Sequence, residues 1–364
     1  AVVLVWFFEF LGPMVAGTAV ADTIGTFVRL NDVPAVSSLT FLLCGLLGAI
    51  GWNLLTWWKG IPSSSSHALV GGLSGVVVLA VGPDHVVWGV GELAHGHLTG
   101  VTKVLLALVL SPVIGFWVGF LLQRLALFLL RTARPSFNRY LRLGQYFTAA
   151  GLAFSHGAND AQKSMGMLTL VLLLGGSIGT FAVPFWVVVA CSAATTLGIL
   201  SGGWRIVRTL GFAIYKVRPL HAFDSQLTSA GVILAASFAG APVSTTHVVS
   251  SSIMGIGASE RPKAVRWAKA KEIVTTWVIT IPGAGMMAVG AFLLEVNYHG
   301  SGNYGLEWVE SICCGRYYDL ERIDLENGVD HVIGLGLADP AMVGGEIALW
   351  IADWLTLCPT WLIG

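Results

Sequence analysis

Long runs of apolar residues constrain this chain more than any other feature. Several of them reach the roughly 20 residues that an α-helix needs to cross the hydrocarbon core of a membrane. The runs lie at about residues 1–28, 36–58, 101–130, 146–175, 180–200, 225–240 and 272–295. Only 11% of the 364 residues are charged, against about a quarter in soluble domains, so the chain cannot cover a water-facing surface. The pattern predicts an all-α polytopic membrane protein.

Charge and cysteine content exclude several other classes of function. The formal net charge is zero, which does not fit a strongly basic nucleic-acid binder. The five cysteines form no C-x-x-C pair, so neither a zinc site nor a redox motif is predicted. We expect no cofactor and no nucleic-acid partner; the partner that the apolar runs predict is membrane lipid.

Two further stretches, 62–82 and 242–258, are apolar but rich in Ser, Thr and Gly, and each begins with Pro and a cluster of hydroxyls. Irregular backbone at membrane depth is tolerated only where it is buried or lines a cavity. The two stretches are therefore interpreted as re-entrant helical hairpins.

The two hairpins are copies of each other. The string from Gly60 to His67 matches the string from Gly240 to His247 at an offset of 180 residues, in Gly, Pro, three hydroxyls and His. The same offset relates Gly75 to Gly255. A shared register of this kind indicates an internal repeat.

Basic residues indicate that the copies face opposite sides of the membrane. The loop 83–100 after the first copy contains no Lys or Arg, whereas the segment 261–271 after the second contains five. Cytoplasmic loops are enriched in Lys and Arg, so inverted-topology repeats with discontinuous helices are predicted, which is a recurring plan of secondary transporters.

The predicted divisions are a first repeat at 1–130 that is incomplete at its N-terminal end, a basic cytoplasmic linker at 131–145, a second repeat at 146–296, and a C-terminal tail of unknown role at 297–364.

The most polar string at membrane depth is Ser155 to Gly166, inside the run 146–175. Ionisable residues at this depth are costly and mark an ion or substrate pathway by default. Glycines bracket the string, so we expect a break in the helix whose N-terminus faces an anion. The candidate residues here are Asn159, Asp160, Gln162, Lys163 and Ser164, with Asp160 offering an oxygen to a proton or Na⁺. The alternative is that Asp160 and Lys163 pair for structural reasons.

Compact hydroxyl groups at the two hairpins suit an oxyanion or Na⁺. The candidates are Ser64, Ser65, Ser66, Ser244, Thr245 and Thr246, followed by His67 and His247. In the alternative interpretation the hydroxyls bond only to carbonyls of their own helices. The histidines are predicted either to relay protons or to hold the hairpin tips by hydrogen bonds. Asn53 and Gln226 are polar residues beside the hairpins, and we expect them to contact the residues that bind the ligand rather than the ligand itself.

At these residues the chain resembles the inorganic phosphate transporter (Pit or PiT) family. Gly157-Ala158-Asn159-Asp160 is similar to the second of the family's two G-A-N-D elements, and 62–67 and 242–247 resemble both copies of its P-x-S-[ST]-[ST]-H element. The resemblance covers about 1–295. It implies a homodimer that carries phosphate together with Na⁺ or H⁺ by alternating access, in bacteria also as a metal–phosphate complex, from a site lined by the Asn-Asp and Ser/Thr-His elements. The first G-A-N-D copy is expected about twenty residues before Ala1.

Three other functions remain open from the sequence. A transporter of another oxyanion such as sulfate would need similar chemistry, although Asp160 favours phosphate because phosphate carries a proton that a carboxylate can accept as a hydrogen bond. A membrane-embedded hydrolase would use Ser with His67 or His247, but no G-x-S-x-G element is present. A passive channel would transport without coupling. The Gln162-Lys163 pair resembles that of bacterial members of the family, many of which are proton-coupled. The resemblance therefore favours H⁺ over Na⁺ as the coupling ion, and a fixed Lys can serve part of the charge-neutralising role of Na⁺. We expect the protein to lie in the bacterial plasma membrane.

Overall fold

The fold is a bundle of α-helices, described by a computed structural model over residues 2–93, 97–201 and 214–293. The predicted tail at 297–364 lies outside the described residues. The helices are α1 Val2–Val15, α2 Ala19–Gly25, α3 Ala35–Trp58, α4 Ser65–Val81, α5 Val90–Leu93, α6 Gly100–Leu129, α7 Asn138–Leu174, α8 Phe185–Ser201, α9 Pro219–Phe238, α10 Thr245–Glu260 and α11 Trp267–Leu293. Within these ranges extended backbone pairs only at an isolated bridge between Val28 and Val86. The predicted all-α class is confirmed.

Three of the described helices are long and apolar enough to cross a membrane: α3, α6 and the part Trp267–Gly290 of α11. The pair α1 and α2 would add a fourth span, although the two helices meet at a bend of 71°. The run 1–28 is therefore a broken helix rather than a plain span. Large apolar side chains on α6, among them Val113, Trp117 and Leu121, are exposed, as expected of a surface that faces lipid.

The predicted helix break in the Ser155–Gly166 string was wrong. Helix α7 runs without interruption for 37 residues through the whole string, a length of about 55 Å at 1.5 Å per residue. It also begins at Asn138, so much of the stretch expected to be a linker at 131–145 belongs to this helix. An anion in this region therefore cannot meet a half-helix N-terminus of α7.

The glycines that suggested a break instead allow neighbouring backbones to approach α7 closely. A Cβ atom on Gly157 would collide with the carbonyl oxygen of Glu9 in α1, and one on Gly166 would collide with the carbonyl of Ala21 in α2. Small residues at helix interfaces in membranes permit such contacts. The broken pair α1–α2 thus lies along an unbroken α7.

The two copies of the repeat share their local structure in detail. In the first, the N–H of Gly60 bonds to the Trp57 carbonyl at 2.9 Å; in the second, the N–H of Gly240 bonds to the Ser237 carbonyl at 3.1 Å. Gly60 and Gly240 adopt φ of 68° and 62°, a left-handed conformation that ends a helix and favours glycine. The following helices α4 and α10 have 17 and 16 residues, or about 25 Å. Both are shorter than a span, but their re-entrant position in a membrane stays a prediction.

The approach of α1 to α7 generates a stability prediction. Gly157→Ala places a methyl group against the Glu9 backbone, so we expect a loss of about 1–3 kcal/mol through overpacking. Gly151→Ala is the matched control in the same helix, because its Cβ would meet only the Ala230 Cβ at an ordinary 3.9 Å. That control should be neutral or stabilising, since alanine is the better helix former.

Thermal unfolding of both variants in the same detergent measures the difference. Equal melting temperatures for the two variants would contradict the close packing of α1 on α7.

Candidate transport site

The repeated segments 60–67 and 240–247, which lead into α4 and α10, are called the hairpin tips below. Each contains three consecutive hydroxyl residues, 64–66 or 244–246, and the first of the three caps the following helix. Ser64 Oγ accepts a hydrogen bond from the His67 backbone N–H at 3.2 Å, and Ser244 Oγ accepts from the His247 N–H at 3.4 Å. Such caps satisfy backbone donors that the first turn of a helix leaves unpaired. These two hydroxyls are therefore committed to the fold.

The third hydroxyl of each triplet joins one tip to the other. Ser66 Oγ donates to the Val243 carbonyl at 3.1 Å, and Thr246 Oγ1 donates to the Ser63 carbonyl at 3.0 Å. Residues 63 and 66 correspond to 243 and 246 at the offset of 180. Each of the two bonds is therefore the counterpart of the other in the internal repeat. Reciprocal contacts of this kind are those of a two-fold interface.

The tip histidines meet through their rings rather than through hydrogen bonds. The centroids of His67 and His247 lie 4.8 Å apart, and His247 stacks on Trp277 of α11 at 3.8 Å. Both histidines are buried, and no described residue hydrogen-bonds His67 Nδ1 or His247 Nε2. The histidines thus pack the tips together, while the prediction of a proton relay stays untested.

Asn159 of α7 holds the second tip. Its Oδ1 accepts from the Val243 backbone N–H at 3.2 Å, and its Nδ2 donates to the Ala241 carbonyl at 3.2 Å and to Ser237 Oγ at 3.0 Å. The side chain is fully buried. Its amide hydrogen-bonds the backbone of the hairpin loop and the Ser237 hydroxyl, while its predicted contact with a ligand stays a prediction.

Gln162, one turn later, performs the same task for the other broken helix. Its Oε1 accepts from the Val20 backbone N–H at 2.8 Å, in the first turn of α2, and its Nε2 donates to the Ala158 carbonyl at 2.7 Å. Gln162 therefore satisfies a donor exposed by the break between α1 and α2. Its predicted role as an anion donor stays a prediction.

Asp160 lies at the centre of the charged cluster between these two supports. Its Oδ1 accepts from Lys163 Nζ at 2.6 Å, and its Oδ2 lies 3.2 Å from both Thr245 Oγ1 and His156 Nε2. Lys163 Nζ also donates to the Val243 carbonyl at 2.7 Å. The Asp160 side chain remains 18% exposed, more than the other charged members of the cluster that are buried. The predicted structural pair with Lys163 is present, but it leaves one carboxylate oxygen to other partners.

Glu9 and His156 are members of the cluster that the sequence analysis did not assign. His156 Nδ1 lies 2.6 Å from Glu9 Oε1, and Glu9 is 2% exposed. Carboxylate, imidazole and carboxylate thus form a continuous polar chain from α1 to Asp160. Glu9 is one of only two acidic residues inside the run 1–28, the other being Asp22. That was the available signal, since such residues are costly at membrane depth.

The remaining candidates divide into those near the tips and those elsewhere. Asn53 lies beside the first tip, where its Oδ1 is 3.5 Å from Ser63 Oγ. Gln226 instead accepts a hydrogen bond from Thr148 Oγ1 at 2.6 Å. Thr148 lies twelve residues before Asp160 in α7, a distance of about 18 Å along the helix. Ser164 and Ser65 are exposed, and no hydrogen bond among the described residues joins either of them to the cluster. Gln226 was predicted to support the site and does not reach it.

The arrangement combines a fixed positive charge, a reachable carboxylate and paired helix N-termini. The N-terminal ends of α4 and α10 meet at the tips, where their dipoles favour a negative ligand. Asp160 Oδ2 and Thr245 Oγ1 are hard oxygens of the kind that a small cation binds. The tips can therefore hold an anion beside a site for a cation or proton.

These features define an integral membrane protein of α-helices with a charged cluster held between broken helices, as in secondary transporters. Comparison with known sequences gives the particular family. The profile of the phosphate transporter family matches residues 1–138 and 129–288, and the chain belongs to that family.

Relatives in two bacteria carry the same description, "Probable low-affinity inorganic phosphate transporter". That of Bacillus subtilis (strain 168) is 40% identical over 300 residues, which cover 81% of this chain and 86% of the relative. That of Rhizobium meliloti (strain 1021) is 41% identical over 284 residues, with 78% and 81% covered. These relatives are transporters and not enzymes, so the hydrolase alternative is not retained.

A solved structure titled "The sodium-dependent phosphate transporter" matches the fold. The TM-score is 0.68 at 22% sequence identity, with 80% of this chain and 88% of the other covered. At that identity the similarity establishes the fold alone.

The bonds of Asn159 to the second hairpin generate a prediction. In Asn159→Ala the Val243 N–H loses its acceptor, and leaving a buried donor unsatisfied costs about 1–3 kcal/mol. Hydrogen–deuterium exchange at the Val243 amide should therefore accelerate by about tenfold or more.

Ser164→Ala, on the same helix but exposed, is the control and should leave exchange at Val243 unchanged. Unchanged exchange in Asn159→Ala would mean that the side chain does not support the tip.

Proposed function

We propose that this protein is a secondary active transporter of inorganic phosphate in the bacterial plasma membrane, driven by a proton gradient. The observation that carries the proposal is Asp160, a partly exposed carboxylate between Lys163 and the hydroxyl of Thr245 at the hairpin tips. The family and the names of its bacterial relatives support phosphate as the substrate.

The division of labour within the hydroxyl triplets favours the middle residues as substrate and ion contacts. The first residues, Ser64 and Ser244, cap helices, and the third ones, Ser66 and Thr246, join the tips. Thr245 and Ser65 remain. Thr245 contacts Asp160 at 3.2 Å, while Ser65 is exposed. We therefore assign these two hydroxyls to the ligand, with helix N-termini supplying further positive potential.

Lys163 supports the proton as the coupling ion. Its ammonium group lies between Asp160 Oδ1 and the Val243 carbonyl, at 2.6 and 2.7 Å. A sodium ion bound at Asp160 Oδ2 would lie close to this fixed cation and would be repelled by it. A proton that reaches Asp160 through the Glu9–His156–Asp160 chain needs only one carboxylate oxygen.

Phosphate is favoured over sulfate by the presence of a carboxylate. At neutral pH phosphate still carries a proton, which Asp160 can accept as a hydrogen bond, whereas sulfate offers none. Sulfate would instead meet the carboxylate as an unshielded negative charge.

Alternating access follows from the paired tips. In this proposal the two repeats are inverted, and rocking of one against the other opens the Ser66–Val243 and Thr246–Ser63 contacts to one side at a time. The homodimer and the carriage of a metal–phosphate complex, both implied by the resemblance to the family, stay predictions.

Asp160→Asn tests the central role. The amide keeps the shape but cannot bind a proton, so concentrative uptake of radiolabelled phosphate into proteoliposomes should be lost while the protein still inserts and folds. Asp32→Asn is the matched control, because Asp32 has a side chain that is 72% exposed, away from the tips. It should transport as the unmodified protein does.

Inward pH and Na⁺ gradients are imposed separately, with unlabelled sulfate as competitor. Uptake driven by the pH gradient and insensitive to sulfate is the expected result. Normal concentrative uptake by Asp160→Asn would falsify the assignment, uptake driven only by Na⁺ would refute proton coupling, and competition by sulfate would refute selectivity for phosphate.

A further inference from the structure

Helix α9 carries a further buried carboxyl group, well away from the hairpin tips. Asp224 is 2% exposed, and its Oδ2 receives no hydrogen bond from any described residue. Thirteen residues, about 20 Å of helix, separate it from Ser237, where α9 contacts Asn159. It therefore does not belong to the Asp160 cluster.

Other buried polar groups with unused hydrogen-bonding capacity lie around it. Thr228, one turn along the same face of α9, is 2% exposed, and its Oγ1 has no described partner. Gln123 of α6 is fully buried, and neither its Oε1 nor its Nε2 is hydrogen-bonded within the described chain. Most buried polar groups find partners, so three such side chains in one region require an explanation.

Helix α10 contacts both α9 and α6 near these residues. Ser225 and Ser229, which flank Asp224 and Thr228 on α9, lie 2.8 and 3.2 Å from Ser252 Oγ of α10. The backbone of Ser252 in turn lies 2.9 Å from the position of a Cβ on Gly119 of α6. Gln123 follows Gly119 by one turn, and α6 also packs against α9. Asp224, Thr228 and Gln123 therefore lie on helices that pack against one another at this level.

The charged groups on the surrounding helices are engaged elsewhere. Glu260 of α10 pairs with His221 at 2.6 Å and with Arg218 at 3.3 Å, and Arg124 of α6 lies over the Phe120 ring at 5.5 Å. Helix α7 meets α9 through a neutral bond between Thr148 and Gln226. No cationic side chain in the described part of the chain is thus paired with Asp224.

This environment selects the protonated form of the carboxyl. An isolated carboxylate in an apolar interior costs many kcal/mol, and such a group takes up a proton instead. Hard metal ions such as Ca²⁺ gather 6–8 oxygens, whereas the buried side-chain oxygens without a partner that the described residues place at this level are Asp224 Oδ2, Thr228 Oγ1 and Gln123 Oε1. The neighbouring serines are already bonded to one another. The proton is the cation that fits.

We propose that Asp224 is a proton-binding site at the interface of α6, α9 and α10, distinct from the cluster around Asp160. The first repeat has no counterpart, since the offset of 180 places Cys44 and Gly48 at the equivalents of Asp224 and Thr228. The proposal that Asp224 binds a proton does not depend on which substrate the protein transports. Release of the proton would leave a bare carboxylate in a packed interface, so deprotonation should loosen these three helices.

Infrared spectroscopy of the purified protein in lipid nanodiscs tests the site without any transport assay. The carbonyl band of a protonated carboxylic acid should be present at neutral pH and should disappear on titration to alkaline pH. Asp224→Asn should lack this band, and the control Asp32→Asn should keep it. An identical band in Asp224→Asn, or its loss when choline chloride is replaced by sodium chloride at constant pH, would overturn the proposal.

A second variant keeps the proposal testable if Asp224→Asn does not fold. Gln123→Leu retains Asp224 but replaces the buried amide of α6 by an apolar side chain. An amide dipole stabilises an ionised carboxylate more than a neutral acid, so its removal disfavours the ionised form. The midpoint at which the band disappears should shift to higher pH than in the unmodified protein. No shift, or a shift to lower pH, would show that Gln123 and Asp224 do not share a site.

Discussion

Broken helices in a membrane leave backbone groups that water cannot reach, and the structure depends on how α7 satisfies them. Asn159 bonds to the loop of the second hairpin, and Gln162 bonds to the first turn of α2. Both side chains project from one continuous helix at a spacing of three residues, so they lie on the same face. The charged residues Asp160 and Lys163 follow each of them directly. The same helical face thus stabilises the breaks and positions the charges beside them.

The parts of the fold that depend on composition and repetition were predictable from sequence. Apolar runs located the spans α3, α6 and α11, and the matched strings located both hairpin tips, because helix caps such as Ser64 and Ser244 depend on local residues. The cost of burying charge also singled out Asp160, which the structure places in the charged cluster with Lys163 and His156.

The parts that depend on packing between distant segments were not predictable in the same way. Gly157 and Gly166 were interpreted as a helix break, because a glycine that ends a helix and one that admits a neighbouring backbone look alike in sequence. Glu9 lies 147 residues from His156 along the chain, and only the close approach of α1 to α7 brings them together. Gln226 was placed by its distance in sequence from Pro242, but the direction of α9 carries it away from the tips.

The reciprocal bonds between the tips have a mechanical consequence. Each hairpin tip donates one hydroxyl hydrogen bond to a backbone carbonyl of the other. If one tip moved away alone, both bonds would break together, and the buried Ser66 hydroxyl and Val243 carbonyl would lose their partners. The two tips are therefore mechanically coupled, and movement of one favours movement of the other.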